Sequence, residues 1–239
     1  MLQVTPRESP PMFQSPPVVL GLIGVLILIH AALQYGGSDW QVWSLEAAAF
    51  IPARYGSAPY PVIPGSQVWS FLSYAFLHGS WPHVLFNCLW LLIFGTVVAR
   101  YMGALRFLLL AAVAAIAGAF CTLALHWGED TIMVGASGAI SGMMAAAVPI
   151  MYGRRRFFAG GNIGDPHSAL PLSPRELFGN RGAVIFMVVL LAITLFSGAT
   201  GFTGNSFSAA TGIAWEAHVG GFLGGLVSFY LLRNGRVRG

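Results

Sequence analysis

Apolar residues come in six runs along this chain, separated by polar stretches of unequal length. The runs cover Val18 to about Tyr35, then roughly residues 82–99, 104–126, 132–152, 183–198 and 212–232. At a rise of ~1.5 Å per helical residue, about 20 residues cross a ~30 Å hydrocarbon layer. The pattern therefore predicts six spans, two of them short. The first run exceeds the ~7–15 residues of a cleavable signal core and reads as an anchor. Residues 66–77 (SQVWSFLSYAFL) are aromatic and interrupted by serines, which reads as an interfacial segment and not a crossing. Residues 1–17 hold five prolines and no apolar period, and read as a short disordered tail. The predicted fold class is an all-α membrane protein, a polytopic bundle of six transmembrane helices over residues 18–232. Loops fall at 36–81 and 153–182, and a short tail at 233–239.

Charge orients the bundle. There is no lysine, and an even number of spans puts both termini on one side. With the N-terminus in the cytoplasm, 11 of the 12 arginines lie inside and only Arg54 lies outside. The positive-inside rule selects this topology, which makes 36–81 the outer loop and 153–182 the inner one. Composition agrees: 56% of residues are hydrophobic, 8% are charged and the mean hydropathy is +0.72. A soluble domain, a disordered chain and a disulfide-built scaffold are excluded. The positive balance is an orientation signal and a lipid-headgroup feature, so the bilayer is the expected partner and nucleic acid is not. Cys88 and Cys121 each sit inside an apolar run, so no disulfide framework or metal site can be read from them.

Polar side chains at membrane depth are costly and are functional candidates by default. Three clusters stand out: His78, His83 and Asn87 opening the second span; Gly135-Ala136-Ser137-Gly138 with Ser141 and Gly142 opening the fourth; and Glu216 with His218 opening the sixth. All three spans run from outside to inside, so the clusters share a depth in the outer part of the membrane. Gly138 and Gly142, Gly220 and Gly224, and Gly221 and Gly225 are small-xxx-small steps that let helices approach closely. These parts suit acyl transfer. A serine hydroxyl needs a base, which histidine supplies near neutral pH, and the oxyanion needs donors aimed at it. His83 and Asn87 share a helix face at i, i+4 spacing and can donate together with N–H groups of the helix that begins at Ser137. Glu216 lies roughly 200° around the helix from His218, so the arrangement reads as a Ser–His dyad and not a triad.

With these residues in place, the chain over about 66–232 resembles the rhomboid family of intramembrane serine proteases, bacterial six-span type. The resemblance rests on Gly-Ala-Ser137-Gly, on Ala217-His218-Val219-Gly220-Gly221, and on His78, His83 and Asn87. It implies Ser137 as nucleophile, His218 as general base, and His83 and Asn87 at the oxyanion. His78, Gly135 and Gly138 would support the site. Implied substrates are single-span membrane proteins, cut in or near their transmembrane segment, with no cofactor. The compact six-span form without a targeting presequence leads to the expectation of a bacterial inner (cell) membrane. Two positions depart from the family's best-known bacterial pattern. Trp69-Ser70 stands where a Trp-Arg pair anchors the outer loop, and Ser141 stands where an aromatic ring stacks on the histidine.

Other readings compete at single residues. Ser137 alone would make a good helix N-cap, and Ser141 would bond back to the Ser137 carbonyl. Glu216 would favour the helix dipole, and His30, His126 and His167 have no partner in view. A catalytically inactive rhomboid-like protein that binds client helices is the alternative function, although such relatives usually lack the serine or the histidine. A transporter would show repeat symmetry and polar groups on both sides.

Overall fold

The computed structural model describes residues 15–155, 169–199 and 215–233. Residues 1–14 of the expected tail at 1–17, residues 234–239 of that at 233–239, His167, and the first residues of the sixth run lie outside the described residues. Helix α1 (Pro17–Tyr35) matches the first run. The outer loop contains α2 (Ser38–Ala48), a 3-10 turn at Pro52–Tyr55, and α3 (Ser66–Ser73) with a 3-10 turn at Tyr74–Phe76. A rod over Trp81–Met102 follows, built from α4 (Trp81–Trp90), a π segment (Leu91–Gly95) and α5 (Thr96–Met102). Gly103, at φ 79°, turns the chain straight into α6 (Ala104–Leu125). Helix α7 (Ser137–Met151), a two-residue strand pair β1 (Arg154–Arg155) and β2 (Ala169–Leu170), α8 (Pro174–Gly179), α9 (Arg181–Ala199) and α10 (Trp215–Leu232) complete the order.

Among the described residues three helices are long and apolar enough to cross a membrane: Pro17–Tyr35, Trp81–Met102 and Ala104–Leu125. Helix α7 is different in kind. Every residue from Gly138 to Ile150 is buried. The helices around it turn large apolar residues outward, such as Leu28, Leu89, Leu105, Val188 and Leu231. A central helix wrapped by helices with apolar outer faces is the arrangement of a protein solvated by lipid.

The expected span at 132–152 is corrected at its start. Residues 131–136 are not helical, so α7 is about 22 Å long. The cause is tertiary. Phe50 and Met133 exchange both backbone hydrogen bonds, Gly135 N–H donates to the Tyr74 carbonyl at 3.0 Å, and Gly135 takes φ +121°. Ile132, Met133 and Val134 look like span residues but serve as a short rail into the bundle.

The outer loop is tied down as firmly. The last carbonyls of α2 have no helical donors of their own. Arg54 Nη2 donates to the Glu46 carbonyl, Trp69 Nε1 to Ala47, Ser73 Oγ to Ala48, and Arg54 Nη1 to Ala49 at 2.9 Å. Arg54 is 4% exposed. The arginine missing beside Trp69 is thus matched in this loop by Arg54, 15 positions upstream of Trp69. The inner loop ends in a capping box, with Ser173 Oγ accepting from Glu176 N–H and the Glu176 carboxylate accepting from Ser173 N–H at 2.9 Å.

Glycines bring α6, α7 and α10 together. A Cβ on Gly142 would lie 2.8 Å from the Gly221 carbonyl oxygen, and one on Gly220 would lie 2.6 Å from that of Ala117. One on Gly221 would collide with the Gly138 backbone, its Cα 3.0 Å away. Backbone therefore packs on backbone.

Two outcomes follow for thermal unfolding in detergent micelles. Arg54→Met is expected to cost about 2–4 kcal/mol, because the buried Ala49 carbonyl and the part-buried Glu46 carbonyl lose a charged donor; an unchanged melting temperature would mean those carbonyls find solvent. Gly221→Ala is expected to destabilise by at least ~1–3 kcal/mol through overpacking against Gly138. Gly24→Ala, where nothing lies within 4 Å of the new methyl, is the control and is expected to be neutral or stabilising by up to about 1 kcal/mol.

Candidate active site

Helix α7 begins at Ser137 without a side-chain cap. The preceding Ala136 has helical dihedrals (φ −75°, ψ −3°), so Ser137 is the first helical residue and not the N-cap. Its N–H and those of the next residues have no helical acceptor by position.

His83 and Asn87 occupy the buried face of α4, at 6% and 4% exposure. Ser80 caps that helix by accepting from His83 N–H at 3.3 Å. Both side chains reach the rail before Ser137. A Cβ on Gly135 would lie 2.8 Å from His83 Nε2 and 3.8 Å from Asn87 Nδ2. The glycine at 135 is thus required twice, by its positive φ and by this approach. Asn87 Nδ2 is buried with no hydrogen-bond partner among the described residues.

His78 is 1% exposed and joins three segments. Its Nε2 accepts from Ala136 N–H at 3.4 Å, and its carbonyl accepts from His30 Nδ1 at 3.1 Å. Its ring meets His83 edge to face at 4.9 Å. Burial, with His83 and His30 close by, holds His78 well below the usual histidine range, so the ring is the neutral acceptor this geometry needs. His30, expected to lack a partner, packs on His78 and Trp81.

His218 lies on α10 and is 4% exposed. The neighbours of the two predicted reacting residues touch: a Cβ on Gly138 would lie 3.2 Å from the Ala217 carbonyl oxygen. Among the described residues Ser137 and His218 make no direct hydrogen bond, and His218 Nδ1 is buried without a partner. Hydrogen bonds between a nucleophile and its base are often long before substrate binds.

Two expectations are corrected. Ser141 is fully buried, and its Oγ makes no bond back to the helix. His126 has two partners, Glu129 and Glu216, each at 2.8 Å. Glu216 is therefore engaged with the residue that closes α6. Tyr74 escaped notice. It is buried, donates from Oη to the Ala115 carbonyl at 2.9 Å, and its Oη is 3.0 Å from where a Gly138 Cβ would stand. It wedges the start of α7 against α6. Its one signal is its place in the aromatic 66–77 segment. Among the described residues no three His, Cys, Asp or Glu side chains gather as metal ligands.

The rhomboid domain model matches residues 65–235 of this chain. The chain is similar to the rhomboid protease GlpG of Serratia proteamaculans (strain 568), 25% identical over 223 residues, which are 91% of this chain and 64% of that protein. It is also similar to the rhomboid protease GlpG of Yersinia pestis (strain Pestoides F), 24% identical over 226 residues, 92% of this chain and 65% of that protein. The chain spans just under two thirds of the length of these relatives. The family model covers well over half of the chain, and the motif-bearing helices α4, α7 and α10 lie where that model matches: the chain belongs to the rhomboid family.

Proposed function

We propose that this protein is an intramembrane serine endopeptidase that cleaves single-span membrane proteins in or near their transmembrane segment. In this reading it is a six-span bundle of the bacterial inner membrane with both termini in the cytoplasm. The observation that carries the proposal is the backbone approach of Gly138 to Ala217, which sets the residues before and after them, Ser137 and His218, on facing helices. The names of the similar proteins, rhomboid proteases, add to it.

The chemistry follows from the placement. Ser137 Oγ attacks the scissile carbonyl carbon while His218 takes its proton. The negative oxygen that forms is met by the Ser137 N–H, Asn87 Nδ2 and His83. Asn87 Nδ2 makes no ground-state hydrogen bond among the described residues, as suits a donor kept for the transition state. His218 then gives its proton to the leaving amine, the acyl-enzyme forms, and water activated by the same ring releases the second product. A substrate carbonyl in a helix is already bonded within the chain. Cleavage therefore requires local unwinding, which favours segments with weak helix formers.

The test is cleavage of a single-span substrate by protein in liposomes. Ser137→Ala and His218→Ala are each expected to lower kcat by at least ~10³. Asn87→Ala is expected to lower it about 10²–10³-fold with little change in KM. Cleavage by Ser137→Ala at the wild-type rate would overturn the nucleophile. A wild type that binds the substrate segment without cutting it would favour a client-binding protein instead.

A further inference from the structure

Helix α10 carries His218, and two residues earlier it carries Glu216 in its first turn, a carboxylate at 4% exposure. His126 closes α6, and its side chain is 32% exposed. Its Nε2 lies 2.8 Å from Glu216 Oε1 and its Nδ1 lies 2.8 Å from Glu129 Oε2. A neutral imidazole has one N–H and one lone pair, so it can bond only one of two ionised carboxylates. Both contacts are satisfied together when the ring carries two protons. The geometry thus holds an imidazolium between two acids, one buried and one facing water.

Resting on the dyad reading above, we propose that His126 is a positioning residue for catalysis. In its doubly protonated form it latches the start of α10 to the end of α6 and so holds His218 in register with Ser137. Loss of the proton turns a lone pair toward one carboxylate, so the ring can no longer hold both contacts. The first turn of α10 must then shift or take in water, and His218 is one half-turn away.

The surroundings leave His126 as the group that responds. On α6, Cys121 is near enough to feel Glu216. From the following loop come Glu129 and Asp130, the latter accepting from Tyr60 Oη at 2.9 Å. The outer loop contributes Tyr55, whose ring lies 6.4 Å from that of Trp127. Helix α10 contributes Glu216 and His218, and residues 200–214 contain no ionisable side chain. The bonds to Glu216, then to Glu129, raise His126 above its ordinary 6.5 against the effect of burial. A raised folded value means the latch is fully present below 6.5 and is lost as pH rises through the higher folded value.

The full chain in liposomes, assayed on a single-span substrate from pH 5 to 9, tests this. Wild-type kcat is expected to fall at alkaline pH, by up to about tenfold per pH unit beyond the His126 transition. His126→Arg keeps two donors charged at every pH, and is expected to stay active with the alkaline fall removed. Glu216→Gln, which no longer needs a cation, is expected to lose the fall too. His126→Gln is expected to lower kcat at neutral pH with KM unchanged. The proposal is overturned if wild type shows no alkaline fall, if a folded Arg variant is inactive or titrates like wild type, or if His126→Gln matches wild type throughout. Melting temperatures on the Ser137→Ala background separate the two readings. Unfolding that becomes easier with rising pH, except in the Arg variant, supports the latch even if Ser137 proves not to be the nucleophile.

Discussion

The contact on which the rest depends is backbone on backbone, where Gly138 and Gly142 of α7 meet Gly221 and Gly225 of α10. Lipid tails are as apolar as leucine, so helices in a bilayer gain little from hiding hydrophobic surface against one another. What remains is close packing, and removing four side chains allows it. The seam has a chemical result. It fixes two helices at their N-terminal ends, where one begins with a serine and the other places a histidine in its first turn and a half. Helix α6 completes the set through Ala117 and Gly118. The candidate site is thus built beside a close backbone-to-backbone contact.

A second constraint acts on the chain outside the helices. A peptide group below the headgroups must find a partner within the protein. The stretch at 131–136 meets this requirement by pairing with Phe50, Tyr74 and the His78 ring. The end of α2 meets it through Arg54, Trp69 and Ser73. The polar and aromatic residues of the outer loop therefore act largely as surrogate backbone partners. Their identities are set by reach and donor geometry and much less by hydropathy.

This explains what could be seen from sequence. Runs of apolar residues located α1, the rod over Trp81–Met102, α6, α9 and the described part of α10 to within a few residues, because helix length against bilayer thickness is a local property. The serine, the two histidines and the asparagine stood out for the same reason: each is costly where it sits. The start of α7 did not, since Ile132, Met133 and Val134 have the composition of a span and become a rail only through Phe50. His78, which bonds His30, lies 48 residues from it, and Glu216, one of the two partners of His126, lies 90 away; no local pattern tied Arg54 to the carbonyls it serves. Ser141 shows the opposite limit. A local rule gave it a bond to its own helix, and packing left its hydroxyl with none.

The unpaired atoms have a pattern of their own. Burying a polar atom without a partner costs about 1–3 kcal/mol, and the end of α2 avoids that cost through Arg54, Trp69 and Ser73. Asn87 Nδ2, Ser141 Oγ and His218 Nδ1, on three different helices, are among the buried atoms without partners among the described residues, as are Ser44 Oγ, Ser66 Oγ and Trp90 Nε1. A scaffold selected for stability alone would fill these positions with apolar side chains, which the surrounding core already uses freely. Donors and acceptors held open on rigid helices gain their value when charge develops beside them, because they need not reorganise at that moment. Asn87, on α4, reaches toward Gly135, and His218 lies beside the glycine seam. That combination of close support and unmet polarity supports the proposed roles of Asn87 and His218 in the reaction.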